Sequence, residues 1–213
     1  MTSIPIDLKN KALETPKINA AVVCPNEESV LLAVKEAKEI NLINPILIGK
    51  KSLIEKTANQ VNLEINSYNI IEINNEQEAA TVACKLAHED KVKIIIKGNL
   101  HTDILMRYYL KKEFNLIVGR RLSHIWHMTA QKLNKPLFIT DGALNVLPRV
   151  EIKLQILKNA VDFCNKLNIF KPKVAILSGT EDPIDSMPSS IEAQKVMELA
   201  NKENVDALVH GPL

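Results

Sequence analysis

The chain has 213 residues, 46% hydrophobic and 24% charged, enough for one large domain or two small lobes around real cores. Lys and Arg total 27 against 25 Asp and Glu, and aromatics make up only 4%, so the basic stripe and stacking platform of a nucleic-acid-binding protein are both missing. Cys24, Cys84 and Cys164 are odd in number and isolated, without CxxC or Cys–His ligand spacing, which removes a disulfide framework and a zinc site. Each sits in an apolar or helical context, where a thiol acts as a small hydrophobe. The opening MTSIPIDLKNKALETPK lacks the apolar core of a signal peptide, and no apolar run approaches the ~20 residues of a membrane span, so a cytoplasmic protein without a membrane partner is expected.

Short apolar runs alternate with longer amphipathic stretches, the pattern of βα units. Residues 18–23 read as a buried strand, after which Asn26 is placed to cap a helix over 27–40. A second strand over 45–48 ends at Gly49, and Ser52 is placed to cap a short helix over 53–60. Residues 69–73 form a third strand, and 76–90 a helix with Ala79, Val82, Ala83 and Leu86 on one face. The β-branched run 92–96, closed by Lys97 and Gly98, is the clearest strand of all. Apolar strands without alternation, joined by helices, imply a parallel sheet covered on both faces. Residues 111–119 read as the crossing between two lobes, 1–118 and 119–213. The pattern then restarts with strands over 122–128, 137–140, 174–177 and 207–209 and helices over 150–167 and 190–201.

No GxGxxG, GxxxxGK[ST] or GxSxG occurs, which removes a dinucleotide cradle, a P-loop and a hydrolase elbow. His124 and His127 lie three apart on an expected strand, where they face opposite ways and cannot share a metal; none is expected. Four polar, glycine-bearing loops instead follow strands, where open α/β sheets bind their ligands. The first holds Lys97, Gly98, His101, Thr102 and, one turn into the next helix, Arg107. Gly98 lets backbone approach a ligand, the helix start offers free N–H groups to an anion, and Arg107 offers a donor fork. A capped turn with a surface arginine is the alternative. In the second, GRRLSH (119–124), the basic pair is either solvated or functional, and Ser123 within an apolar strand needs a partner or a ligand. In the third, TDGALNVLP (140–148), Asp141 and Asn145 either orient a ligand or brace the loop. The fourth begins at Ser178 and runs to Ser190, its hydroxyls either capping the next helix or lining a cleft.

The segments KGNLHTDILMR, GRRLSH, PLFITDGALNVLP, PKVAILSGTEDPIDSMPSS and the closing GPL, in this order, resemble the phosphate acetyl/butyryltransferases. That resemblance implies acyltransfer, acyl-CoA + phosphate ⇌ CoA + acyl phosphate, with coenzyme A as substrate and no metal or redox cofactor. It implies an α/β fold of two lobes, mainly parallel sheets with helices on both faces, like the isocitrate/isopropylmalate dehydrogenases. It also implies a homodimer, or a second chain that complements this one. The family's phosphate- or CoA-contacting arginine falls on Arg107, allowing a one-residue shift in loop length; its small-hydroxyl position falls on Ser123 and its polar loop positions on Asp141, Asn145 and Ser178. Together with Lys97, Gly98, His101 and Thr102 these are expected to converge on one cleft between the lobes. The family's Ser-Arg pair and nearby Asp, which stabilise the acyl transition state and deprotonate the thiol, lie C-terminal to the matching segments. The expectation is therefore a truncated member with an incomplete second lobe, exposed apolar surface and its catalytic residues unassigned. It is either an enzyme needing a complementing chain or a non-catalytic relic or CoA/phosphate-binding module.

Overall fold

Ala20, Ala21, Val22 and Val23 are all fully buried, an unbroken run that fits a strand only if both of its faces are covered. The computed structural model describes residues 5–117, 119–129 and 135–213, and the chain divides into two units, Met1–Val118 and Gly119–Leu213. In the first unit, β1 (Ile18–Val23), β2 (Ile43–Gly49), β3 (Asn69–Glu72) and β4 (Ile94–Lys97) form a wholly parallel sheet in the order β3-β2-β1-β4. Successive strand residues point to opposite faces, and the packing shows it. Ala21 and Val23 join a cluster with Ala79, Ala80 and Ala83 of α4 (Glu76–His88) and Leu105 of α5 (Thr102–Tyr109). Val22 and Leu47 join another with Leu31 and Val34 of α2 (Glu28–Glu39) and Ile54 and Ala58 of α3 (Lys51–Gln60).

The helix starts differ from the sequence reading. Neither Asn26 nor Ser52 caps: α2 starts after Glu27 and α3 after Lys50, both without a side-chain cap, and Ser52 lies inside α3. Only α4 among these three carries such a cap, Asn75 accepting from the Glu78 N–H at 2.7 Å and returning a bond to the Glu78 carboxylate at 3.1 Å. A helix α1 (Ile6–Leu13) that the sequence reading did not include precedes the sheet and has no fully buried residue. The expected crossing over 111–119 starts as a 3-10 turn, Lys112–Phe114, that belongs to the first unit. Phe114 is buried, and its carbonyl accepts from His88 Nδ1 at 2.7 Å; residue 118 of that crossing lies outside the described residues. Cys24 and Cys84 behave as packed thiols. Burial pushes each up to about 11, with Glu76 adding to the effect at Cys24 and Lys111 opposing it at Cys84.

The second unit is built on α6 (Val150–Lys166) and α7 (Pro188–Lys202), whose Leu154, Leu157, Val161, Val196 and Ala200 pack together over Val174 and Val209. These valines are the inward residues of β7 (Lys173–Ala175) and β8 (Leu208–His210), a parallel pair. β5 (Trp126–Met128) and β6 (Leu137–Ile139) pair antiparallel, an exception to the mainly parallel pairing that was expected. The connection 129–136 is too short for the crossover of a dozen or more residues that a parallel pair needs. Among the described residues, helices cover both faces of the sheet in the first unit only. Trp126, Met128, Leu137, Ile139 and Leu208 all point outward from the second unit's strands and are exposed. No helix of the described residues is long and apolar enough to cross a membrane.

Candidate functional site

Lys97, Gly98, His101, Thr102 and Arg107 are held around the turn from β4 into α5. The turn is anchored on the neighbouring strand end: the Gly98 and Asn99 N–H groups donate to the Val23 and Cys24 carbonyls, each at 2.8 Å. The Lys97 ammonium donates back to the carbonyls of Gly98 (3.2 Å) and Leu100 (2.9 Å), so it braces the turn. A Cβ on Gly98 would lie 2.4 Å from the Cys24 carbonyl oxygen, so the close approach this glycine permits is to backbone of the next strand. His101 occupies the N-cap of α5 without a side-chain cap bond; its carbonyl accepts from the Ile104 N–H at 3.1 Å, so the N–H groups left for an anion are those of Thr102 and Asp103, which have no partner among the described residues. Arg107 is exposed and 3.6 Å from Asp103, a solvated i,i+4 pair that a ligand anion can displace.

In the second unit Ser123, Asp141 and Asn145 belong to one hydrogen-bond network. Asp141 Oδ1 accepts from the Ala143 and Leu144 N–H groups, each at 3.0 Å, and Oδ2 accepts from Asn145 Nδ2. Asn145 Nδ2 also donates to the Leu122 carbonyl at 2.9 Å, and its Oδ1 accepts from Arg121 Nε at 2.9 Å. Asn159 of α6 donates to Ser123 Oγ at 2.9 Å and to the Arg121 carbonyl at 2.8 Å; Gln155, one turn earlier, accepts from the Arg121 N–H at 2.7 Å.

These bonds correct the strand expected over 122–128, which begins only at Trp126. The carbonyls of Arg121, Leu122 and His124 are taken by the side chains of Asn159, Asn145 and Thr140, so side chains satisfy this backbone where a strand partner was expected. Ser123 accordingly sits in a loop, with Asn159 as the partner its hydroxyl required.

Ser178 belongs to a separate group. Its hydroxyl is 2.9 Å from that of Ser189, its N–H donates to the Leu213 carbonyl at 2.7 Å, and it does not cap α7, whose N-cap is Met187. The fully buried Ser190 ties the loop instead, its hydroxyl bonding Ile184 and Met187 backbone. His124 packs edge-on to Trp126 and His127 to Phe138, and no cluster among the described residues could hold a metal ion.

Burial pushes the Asp141 carboxyl up, but bonds from Ala143, Leu144, Asn145 and His124 outweigh it and hold its pKa below the ordinary value. A depressed folded-state pKa contributes stability that is fully present above the unfolded value, about 4, and is lost as pH falls through the folded one. Asp141→Asn is therefore expected to cost a constant amount from pH 7 to about 5 and progressively less below about 4. Thermal melts of both proteins across that range check this; a pH-independent gap would contradict it.

The sequence and fold match known proteins. A model of the family described as phosphate acetyl/butaryl transferase matches residues 75–213. The chain belongs to this family. It is 36% identical over 210 residues to a phosphate acetyltransferase of Rickettsia felis, covering 98% of this chain and 60% of that protein. With a phosphate butyryltransferase of Clostridium acetobutylicum it is 31% identical over 209 residues, covering 98% and 69%. The crystal structure of a branched-chain phosphotransacylase from Enterococcus faecalis superposes with a TM-score of 0.76 at 25% identity, covering 92% of this chain and 68% of that one. The chain thus spans about 60 to 70% of the length of the relatives it matches.

Within the phosphate acetyl/butaryl transferase match lie all the sequence-read site residues, and also three that sequence reasoning did not select: Arg121, Gln155 and Asn159. Arg121 was visible only as half of a basic pair. Gln155 and Asn159 carried a signal, two amides four apart on a helix whose neighbours are mostly apolar or lysine, so that both face the same way.

Proposed function

We propose that this chain supplies phosphate- and CoA-binding elements for acyl transfer between coenzyme A and phosphate, acyl-CoA + phosphate ⇌ CoA + acyl phosphate. The observation that carries the reading is the turn after β4. It presents the uncapped N–H groups of α5 and, one turn on, the exposed Arg107, at the carboxyl end of a parallel sheet in a chain of this family. His101 and Thr102 flank those N–H groups, and Ser123, Asp141, Asn145 and Ser178 serve the second unit's share of binding. The two units fit the two-lobed class of the isocitrate/isopropylmalate dehydrogenases. The reaction needs neither metal nor redox cofactor, and a cytoplasmic homodimer, or a pair of complementing chains, suits it.

Turnover needs more than binding. A thiol of pKa near ~8.5 is mostly protonated at pH 7 and benefits from a base, and the carbonyl oxygen gains charge that a donor must meet. Asp141 is a weak base for this task, because its carboxylate is already held ionised by four donors. Holding substrate and transition state equally gives no acceleration once substrate is bound. Residues 1–213 alone are therefore expected to bind CoA at millimolar scale or weaker without turning over acetyl or butyryl phosphate. Arg107→Ala is expected to weaken CoA about tenfold, the size of one charge-assisted contact. Thiol release with both acyl phosphates and calorimetric titration of CoA test this. Robust turnover would place the catalytic groups within these residues, and unchanged CoA affinity in Arg107→Ala would remove Arg107 from the site.

A further inference from the structure

We propose that Arg121 is a fixed, forked anion-binding residue of the second unit, built to take a phosphate group, with Asp141 and Asn145 positioning it. The two arginines of GRRLSH differ in their partners. Arg120 is neutralised, its guanidinium bonded to Asp162. Arg121 has no carboxylate partner among the described ion pairs, and the residues outside the described set carry no Asp or Glu. It is nevertheless held at three points: its N–H donates to Gln155, its carbonyl accepts from Asn159, and its Nε donates to Asn145.

The orientation of that third contact is dictated chemically. Asn145 faces two acceptors, the Asp141 carboxylate and the Leu122 carbonyl, and only its NH2 group can satisfy them. Its Oδ1 must then turn toward Arg121 and can accept only from a donor there. With Nε engaged, neither Nη group has a hydrogen-bond partner among the described residues, and the two present parallel N–H bonds that match two oxygens of a phosphate or carboxylate. Arg121 is itself exposed, so the fork is open to a ligand while its base is held. Fixing the fork beforehand lowers the ordering cost of each bond a ligand makes. Asp141 and Asn145 thereby acquire a role beyond bracing the loop: the depressed carboxyl holds the amide, and the amide aims the guanidinium.

The choice of phosphate over carboxylate rests on the acyl-phosphate reading, whereas the anion site itself does not. Phosphate could be free, carried by an acyl phosphate, or part of the nucleotide end of CoA, and three probes separate these and the carboxylate: inorganic phosphate, adenosine 3′,5′-bisphosphate and acetate. Each is titrated into wild type, Arg121→Gln, Arg121→Lys and Arg120→Gln by calorimetry, while the Arg121 Nε–H resonance is followed by NMR. Expected are phosphate-probe affinities lower by roughly tenfold or more in Arg121→Gln, similarly low in Arg121→Lys, which has no Nε to anchor, and within about twofold of wild type in Arg120→Gln. The Nε–H signal shifts on saturation with the phosphate probe. An effect on inorganic phosphate assigns the site to free or acyl phosphate; an effect confined to the bisphosphate assigns it to the nucleotide. Binding of acetate alone overturns the phosphate assignment. Absence of binding by every probe, or equal binding in wild type and Arg121→Gln of matching urea midpoint, overturns the anion site. Phosphate binding through Arg121 in this chain, together with CoA affinity unchanged in Arg107→Ala, would count against the proposed function while leaving this site standing.

Discussion

Replacing Gly98 with alanine is expected to destabilise the first unit by about 3 kcal/mol or more, the upper range for forcing an atom into a packed interior. The added Cβ would meet the Cys24 carbonyl oxygen at 2.4 Å, the Val23 oxygen at 2.6 Å and the Cys24 carbonyl carbon at 2.8 Å, all of them backbone. Neither side can retreat cheaply. Cys24 donates its N–H to the Ile48 carbonyl at 2.8 Å on the other neighbouring strand, and Val23 is fully buried in the sheet. Relief therefore requires β4 to move off β1, breaking the Gly98–Val23 and Asn99–Cys24 bonds that set the turn into α5. Gly142 is the control, since a Cβ there meets nothing within 4 Å, and Gly142→Ala should stay within about 0.5 kcal/mol of wild type. Urea unfolding of the three proteins decides it. Equal costs for the two substitutions would mean that the β1–β4 ends are looser than the structure shows.

The same turn shows how far residues alone reveal structure. The strands of the first unit were legible because a strand buried on both faces must be apolar throughout, as Ala20 to Val23 are. The turn after β4 was legible because glycine, a helix start and an arginine fall in sequence within a few positions. What Gly98 is for was not legible, because the Val23 and Cys24 carbonyls that require it lie some seventy-five residues earlier and meet it only once β1 and β4 pair. The apolar stretch from Leu122 to Met128 misled for a related reason. Its β propensity is real, yet α6 and the 140–145 loop bring three side chains that bond the carbonyls of Arg121, Leu122 and His124 at its start, and tertiary context overrides local preference. Helix caps failed at Asn26 and Ser52 but the pattern of apolar spacing still located α2 and α3, since burial fixes a helix more firmly than its first hydrogen bond does.

Asn145→Ala is expected to lower the stability of the second unit by about 2 kcal/mol, because one substitution removes three hydrogen bonds that are each worth roughly 1 kcal/mol, with water replacing part of the loss. The groups left behind are the Arg121 Nε–H, the Leu122 carbonyl and one Asp141 oxygen, all around a half-buried side chain. If Asn145 is the link between Asp141 and Arg121, the cost must also be shared with its neighbours. Asp141→Ala alone removes the acceptor that orients the amide, so the double substitution Asp141→Ala/Asn145→Ala should cost less than the sum of the two singles by about 1 kcal/mol. A surface loop braced by independent contacts would show no such shortfall. Urea unfolding of wild type, both singles and the double, read by a probe in the second unit such as Trp126 fluorescence, measures it directly. Additive costs, agreeing within about 0.3 kcal/mol, would show that Asp141 and Asn145 act separately and would leave Arg121 without the relay that aims it.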